Sequence, residues 1–293
     1  MSLVINHNLM AMDAARSLNI SYGRLSTSVQ RLSSGLRINS AQDDAAGLAV
    51  REMMRTDINV LDQGVRNAND AISLIQTADG AFSVIDEKLT RMKELAEQAA
   101  TGTYTTAQRL IMDSEYQAMA SEITRIANAT DFNGVKLLDG SLSGTGLDGS
   151  SGNQMKIHFG TGNSSAEDYY YIKIGAATAS ALGVGNSNAG GAGYCISTQS
   201  AAQMSLDAIN SAVSVKDTMR ANLGAVANRL ANTVSVLGIQ AQNLQAAESQ
   251  ISDVDVATEM TEFTRNQVLV QAGVAMLAQA NNLPQLALKL MGG

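Results

Sequence analysis

Between Ile58 and Ala99 apolar residues recur at intervals of three and four. The row is Ile58, Leu61, Val65, Ala68, Ile72 and Ile75, then Phe82, Ile85, Leu89, Met92, Ala96 and Ala99. That spacing is the seam of a coiled coil. Asp79 falls on the stripe and interrupts it. At 1.5 Å of rise per residue, the striped part alone is roughly 60 Å long. A small globule does not accommodate such a helix. The spacing therefore predicts a mainly α chain, built as a long helical hairpin or coiled-coil rod.

The same periodicity places the other elements. A first helix is predicted from about Ile5 to Leu36, with Leu18, Tyr22, Leu25, Val29, Leu32 and Leu36 as its seam. Ser33-Ser34-Gly35 reads as its stop, since glycine readily takes the left-handed conformation. Asn39, Ser40 and Asp43 are capable N-caps for a second helix over 45–100, which Thr101-Gly102 ends. A third helix over 106–129 carries Met112, Tyr116, Met119, Ile123 and Ile126 on one face. A return helix from about Ser200 to Ser249 has Met219, Leu223, Val226, Leu230 and Leu237 on its seam. The polar Thr233 and Gln240 also fall there, as register-fixing residues. Ser252, Asp253 and Asp255 cap a last helix.

Between the third and return helices the composition changes. Asp131-Phe132-Asn133-Gly134 is a turn signal. GSLSGTGLDGSSGN and GVGNSNAGGAG are Gly/Ser/Asn-rich loops. The alternations Met155, Ile157, Phe159 and Tyr170, Ile172, Ile174 predict two or three short strands. The simplest packing pairs the two chain ends. One domain then comprises 1–42 with 252–293, and a helical domain with a small β part comprises 43–175 with 195–251. Residues 140–194 form a short, Gly/Ser-rich insert at the far end of the hairpin.

The stretch from Asn266 to Leu288 contains no Asp, Glu, Lys or Arg. Val268, Leu269, Val270, Val274, Met276 and Leu277 point to every side of a helix, and such a helix must be buried. Its length is that of a membrane span. However, Gln267, Gln271, Gln279, Asn281, Asn282 and Gln285 would each carry an amide into hydrocarbon. The better reading is burial against other helices, with the chain ends presented to copies of the same chain. Leu25, Leu32, Val268, Val274, Ala275, Met276 and Leu277 are the candidate polymerisation residues.

Composition closes several other routes. Trp is absent, Pro occurs once, and charged residues are 16%, against roughly 25% in ordinary domains. A net charge of −7 argues against a nucleic-acid partner. The single cysteine, Cys195, excludes an intrachain disulfide framework. MSLVINHNLMAMDAAR lacks a basic n-region and a long apolar run, so any export is expected to bypass a cleaved signal. His7 and His158 have no partner at metal-ligand spacing. Asp43-Asp44 reads as a helix start. The glycine runs lack a phosphate-loop lysine. No catalytic, metal or cofactor-binding set is readable, and the chain is expected not to be an enzyme.

INHNLMAMDAARSLN near the start, RLSSGLRINSAQDDAAGLA at 31–49 and NQVLVQAGVAMLAQANNLPQ at 266–285 resemble bacterial flagellin, the flagellar filament subunit. DFNGVKLLDG and LGAVANRLANT match as well. The resemblance covers roughly 1–175 and 195–293, and implies a short form without large outer domains. It implies an inner coiled-coil domain made by the two termini. It also implies secretion through the flagellar type III export apparatus, an export chaperone on the C-terminal segment, and filament cap and hook-junction proteins as partners. The resemblance carries Toll-like receptor 5 recognition onto Arg91, Leu95 and Glu115, a helix face expected to be covered in the filament. Leu288 and Leu290 fit the pattern read by an inflammasome receptor, while Met291 and the closing glycines depart from it. Ser141 to Ser151 offers candidate O-glycan positions.

Two other classes compete with a self-assembling structural protein. A coiled-coil signalling module would need a symmetric hairpin tip and a spanning segment. A hook-associated junction protein would share the terminal helices and differ in the middle.

Overall fold

The computed structural model describes residues 8–144, 154–165, 167–185 and 195–291, with side chains of the last helix described to Asn282. The chain is mainly α, with five helices and two small antiparallel strand pairs among the described residues. It forms two compact units, Met1–Ile58 with Gln242–Gly293, and Asn59–Ala241. The boundaries differ from the expected 42/43 and 251/252. The physical reason is that α2 (Ala45–Ala100) and α4 (Gln199–Ser252) run unbroken through 58/59 and 241/242. The caps legible in sequence mark helix ends, and no cap or linker marks the unit boundary.

In the first unit, α1 (Leu9–Ser34) starts at Asn8, whose side-chain oxygen accepts from the Ala11 N–H. It ends at Gly35, left-handed at φ 72°, whose N–H donates to the Arg31 carbonyl. The first residue of α2 follows Asp44, whose carboxylate accepts from the Gly47 N–H. Asp44 is therefore the cap, in place of Asn39, Ser40 or Asp43. Asp43 instead folds the preceding turn by accepting from the Asn39 and Ser40 N–H groups. Those bonds, the Ser40 one first, hold its carboxyl below the usual range. Arg51 is buried and donates to the Ile38 carbonyl. The two connectors of this unit are stitched together. Leu36 and Asp253 form an isolated antiparallel bridge, Arg37 N–H donates to Ser252 O, and Val254 N–H donates to Gly35 O. The last helix, α5 (Val256–Met291), is capped by Asp255 through the Ala257 and Thr258 N–H groups.

In the second unit, α2 packs with α3 (Thr106–Ala129), α4 and the strands. Thr105 and Gln108 form a reciprocal capping box on α3. Arg109 bonds the Ala99 and Thr101 carbonyls, satisfying the end of α2. The strand pair β1 (Asp131–Phe132) and β2 (Val135–Lys136) turns through Asn133 and Gly134, both at positive φ. Two such residues are what a two-residue hairpin turn requires. The pair β3 (Met155–His158) and β4 (Tyr169–Ile172) sets Met155 opposite Ile172 and His158 opposite Tyr169.

The core of this unit joins Phe82, Ile85, Leu89, Met92 and Ala96 to Tyr116, Ile123, Leu138, Leu223 and Leu230. From Ala68 to Ala99 the expected stripe lies in this core, with Ile72 half-buried against it, and so do Leu74, Ala78 and Leu95 outside it; Ile58 and Val65 are only half-buried. The interrupting Asp79 is answered by Arg220 at 2.6 Å. The small β excursion is present, and the described residues of the insert also pack on the helices. Leu142, Ile172, Ile174, Ala177, Leu182 and Val184 are all buried in the same core. Local composition concealed the depth of this burial, because short segments between glycine-rich runs still bury well once a helix covers them.

Candidate assembly surface

The helices α1 and α5 pack antiparallel, with Leu18 beside Gly273 and Arg31 beside Glu259. Asn8, at one end of α1, donates its side-chain amide to the Ala280 carbonyl at 2.8 Å. On α5 the residues drawn from solvent include Phe263, Asn266, Val270, Gly273, Leu277 and Ala280. They alternate by three and four, a coiled-coil row hidden in sequence because Asn and Gly occupy two places. On α1 the corresponding row is Leu18, Ser21, Leu25, Ser28 and Leu32. Tyr22 and Val29, expected on that seam, are half exposed, and the small Ser21 and Ser28 take their places. Small side chains let the backbones approach. A Cβ on Gly273 would already lie 3.1 Å from Leu18 Cδ1.

Of the candidate polymerisation residues, Leu25, Leu32 and Leu277 are half buried in this pair. Val268 (58% exposed), Val274, Ala275 and Met276 (63% exposed) point away from it. As far as Asn282, the uncharged segment is therefore covered on one side only within a single chain. Leu9, Met12 and Ile20 of α1 are exposed as well. Met260, Thr261, Thr264, Arg265, Val268 and Leu269 line a shallow groove along α5. Large apolar side chains clustered in this number are what a protein contact surface presents. Among the described residues, no helix is long and apolar enough to cross a membrane, and no cluster of His, Cys, Asp and Glu is placed to hold a metal ion.

The second candidate patch is only partly as expected. Arg91 and Glu115 do meet across α2 and α3, with Arg91 Nε at 2.9 Å and a terminal nitrogen at 2.8 Å from the same carboxylate oxygen. Arg91 also reaches Glu94 at 3.0 Å. The bond to Glu115, and then that to Glu94, raises the guanidinium pKa above its ordinary value. All three side chains are exposed. Leu95 is not part of this surface. It is 2% exposed and belongs to the core, because α2 buries more than one row of residues. The helix continues through Leu288 and Leu290, but their side chains lie outside the described residues, as does the candidate glycan stretch from residue 145 onward. Cys195 is half buried, and its carbonyl accepts from Ser205 Oγ.

The chain matches two family models: the bacterial flagellin N-terminal helical region over residues 5–143, and the bacterial flagellin C-terminal helical region over residues 206–291. A flagellin of Halalkalibacterium halodurans is 42% identical over 289 residues, covering 99% of this chain and 100% of the relative. Flagellin FlaB1 of Treponema pallidum is 40% identical over 289 residues, with the same coverage. A solved Vibrio parahaemolyticus structure described as a flagellar hook-associated protein is 15% identical, with TM-score 0.55 over 72% of this chain and 100% of that one. At that identity it shares the helical fold and nothing finer. Family matches at both ends, joined by full-length likeness to filament proteins, establish that this chain belongs to the bacterial flagellin family.

Proposed function

We propose that this chain is the structural subunit of a bacterial flagellar filament, and that copies pack on the surface left open by α1 and α5. The observation that carries the reading is the one-sided cover of α5. Val268, Val274 and Met276 face solvent in a helix whose Asn266–Leu288 segment holds no charge. An uncharged helix face with large apolar side chains in water is the kind of surface that a copy would cover. Full-length likeness to filament proteins supports this reading over a hook–filament junction protein.

The same reading takes the chain out of the cell through the flagellar type III export apparatus, with a chaperone on the C-terminal segment and cap and hook-junction proteins at the filament's ends. Its place of action is then the extracellular flagellum. The exposed Arg91–Glu115 pair is the face offered to Toll-like receptor 5, with Leu95 supporting it from beneath rather than touching the receptor. Ala275→Asp tests the central claim. It places a carboxylate in a contact that assembly would dry, at a cost of several kcal/mol per subunit. The expected outcome by electron microscopy is no filament from a chain of unchanged helix content. Normal filaments would refute the proposed contact.

A further inference from the structure

Lys216 is the most deeply buried charged side chain described, at 2% exposure. It sits on the seam of α4, in the row Ala202, Ser205, Ile209, Ala212, Lys216 and Leu223. Its ammonium bonds Asp86 of α2 and, at 2.8 Å, Asp217 of its own helix. One turn on, Arg220 bonds Asp79 of α2. As the α4 number rises the α2 number falls, so the helices are antiparallel here. Gln240, the polar residue expected to fix register, is exposed, and the Thr233 hydroxyl bonds the Arg229 carbonyl of its own helix. Lys216 is the charged residue of the described seam.

The α2 stripe is regular and carries the alanines Ala68, Ala96 and Ala99, with Ala71 and Ala78 buried beside it. Sliding one stripe along another by seven residues, about 10 Å of rise, keeps apolar rows facing. Charges break that degeneracy. A slip one way moves Lys216 from Asp86 to the position of Lys93, ammonium against ammonium. A slip the other way gives Lys216 Asp79 but sets Arg220 against Ile72. Asp217 travels with Lys216 and is the same in all three registers, but the observed one alone pairs both cations with carboxylates of α2.

We propose that Lys216, with Asp86 and Asp217, and Arg220 with Asp79, is a register pin that selects one alignment of α4 on α2 during folding, without adding net stability. A buried ion pair is commonly no more stabilising than an apolar replacement, and register selection is the best-attested use of a polar seam residue. The benefit of such a pin rests on the filament reading, since a subunit exported unfolded must find its register after export. The test does not rest on that reading, because it uses the purified monomer.

Spin labels at Thr90 and Thr218, in a Cys195→Ser background, report the alignment by their distance distribution after unfolding in denaturant and refolding. The unsubstituted lysine chain is expected to give one distance. Lys216→Met fills the same volume without charge. It is expected to keep or raise Tm and to show a second, displaced distance population after refolding. Two results would overturn the pin. A single, unchanged distance would show that packing alone sets the register. A lowered Tm, or failure to fold, would show that the lysine is a stabilising group. A chain that behaves as a pin yet forms no filament would leave this inference standing and defeat the proposed function instead.

Discussion

The carbonyl oxygen of Phe159 lies so close to Gly64 that a Cβ added there would approach it to 2.1 Å. This contact seats the β3–β4 hairpin on α2, and Asn67 secures it by donating to the His158 carbonyl at 2.9 Å. Backbone meets backbone here, so no side-chain rotation relieves an added methyl group. Gly64→Ala is expected to lift the hairpin and destabilise the chain by about 1–3 kcal/mol, despite the better helix propensity of alanine. Urea unfolding measures it. An alanine variant as stable as the parent would show that the hairpin does not rest on α2.

Arg91 and Leu95 share α2 but separate in energetic role. Leu95→Ala empties space in a closed core and is expected to cost about 2–5 kcal/mol. Arg91→Ala removes an exposed ion pair and should leave the thermal midpoint nearly unchanged. If the Toll-like receptor reading holds, Arg91→Ala nevertheless lowers receptor activation by monomer. Leu95→Ala should lower it only in proportion to unfolded chain. Direct loss from a fully folded Leu95→Ala variant would place that side chain at the receptor after all.

The insert gives a matching prediction. Ile174→Ala is expected to destabilise by about 2–5 kcal/mol, as a core substitution would, although it lies in the insert between Gly/Ser/Asn-rich loops. Near-zero cost in urea unfolding would restore the reading of residues 140–194 as a surface excursion.

These three sites show where the sequence was legible. The bounds of α2 and α3 and the Gly35 stop follow from stripe, cap and glycine signals that act locally. Asn266, Gly273, Ser28 and Lys216 escaped because an apolar count passes over polar or small seam residues. They become visible only when the row of three-and-four spacing is followed through them. Leu95 escaped for another reason. A single-stripe reading gives a helix one partner, whereas α2 is covered by α3, α4 and the insert, so rows beside the seam are also buried. The insert's alternations showed its strands but not that Ile172 and Ile174 reach the helical core, since a period of two names a buried face and not its partner.

The connector carboxylates set a pH response. Asp43 titrates below its ordinary range because the Ser40 and Asn39 N–H groups bond its ionised form. A carboxyl depressed on folding adds stability above its unfolded value, near 3.9, and loses it as pH falls through the folded value. Asp43→Asn should therefore weaken the connector at neutral pH and flatten the loss of stability below about pH 4. Thermal melts from pH 7 to pH 2.5 read this out. Parallel curves for the parent and the variant would remove Asp43 from the acid response.

Met276 and Leu277 are chain neighbours that face opposite surroundings, and this separates folding from assembly. Leu277 lies in the row packed toward α1, half buried, with Gly273 one turn before it. Met276 is 63% exposed, on the side that a copy would cover. A carboxylate at position 277 meets α1 in every molecule, assembled or free. Leu277→Asp is therefore expected to loosen the α1–α5 pair in the monomer, seen as faster hydrogen exchange in both helices and lower helix content. A carboxylate at position 276 remains in water until a copy arrives, and only then loses its hydration. Met276→Asp is expected to leave monomer exchange and helix content unchanged, while raising the concentration needed for polymerisation by orders of magnitude, or abolishing it. Sedimentation after salt-induced assembly measures the polymer, and hydrogen exchange the monomer. If both variants assemble poorly and both monomers loosen, α5 has a single function in folding. If Met276→Asp polymerises normally, the exposed side of α5 is not the face that copies cover.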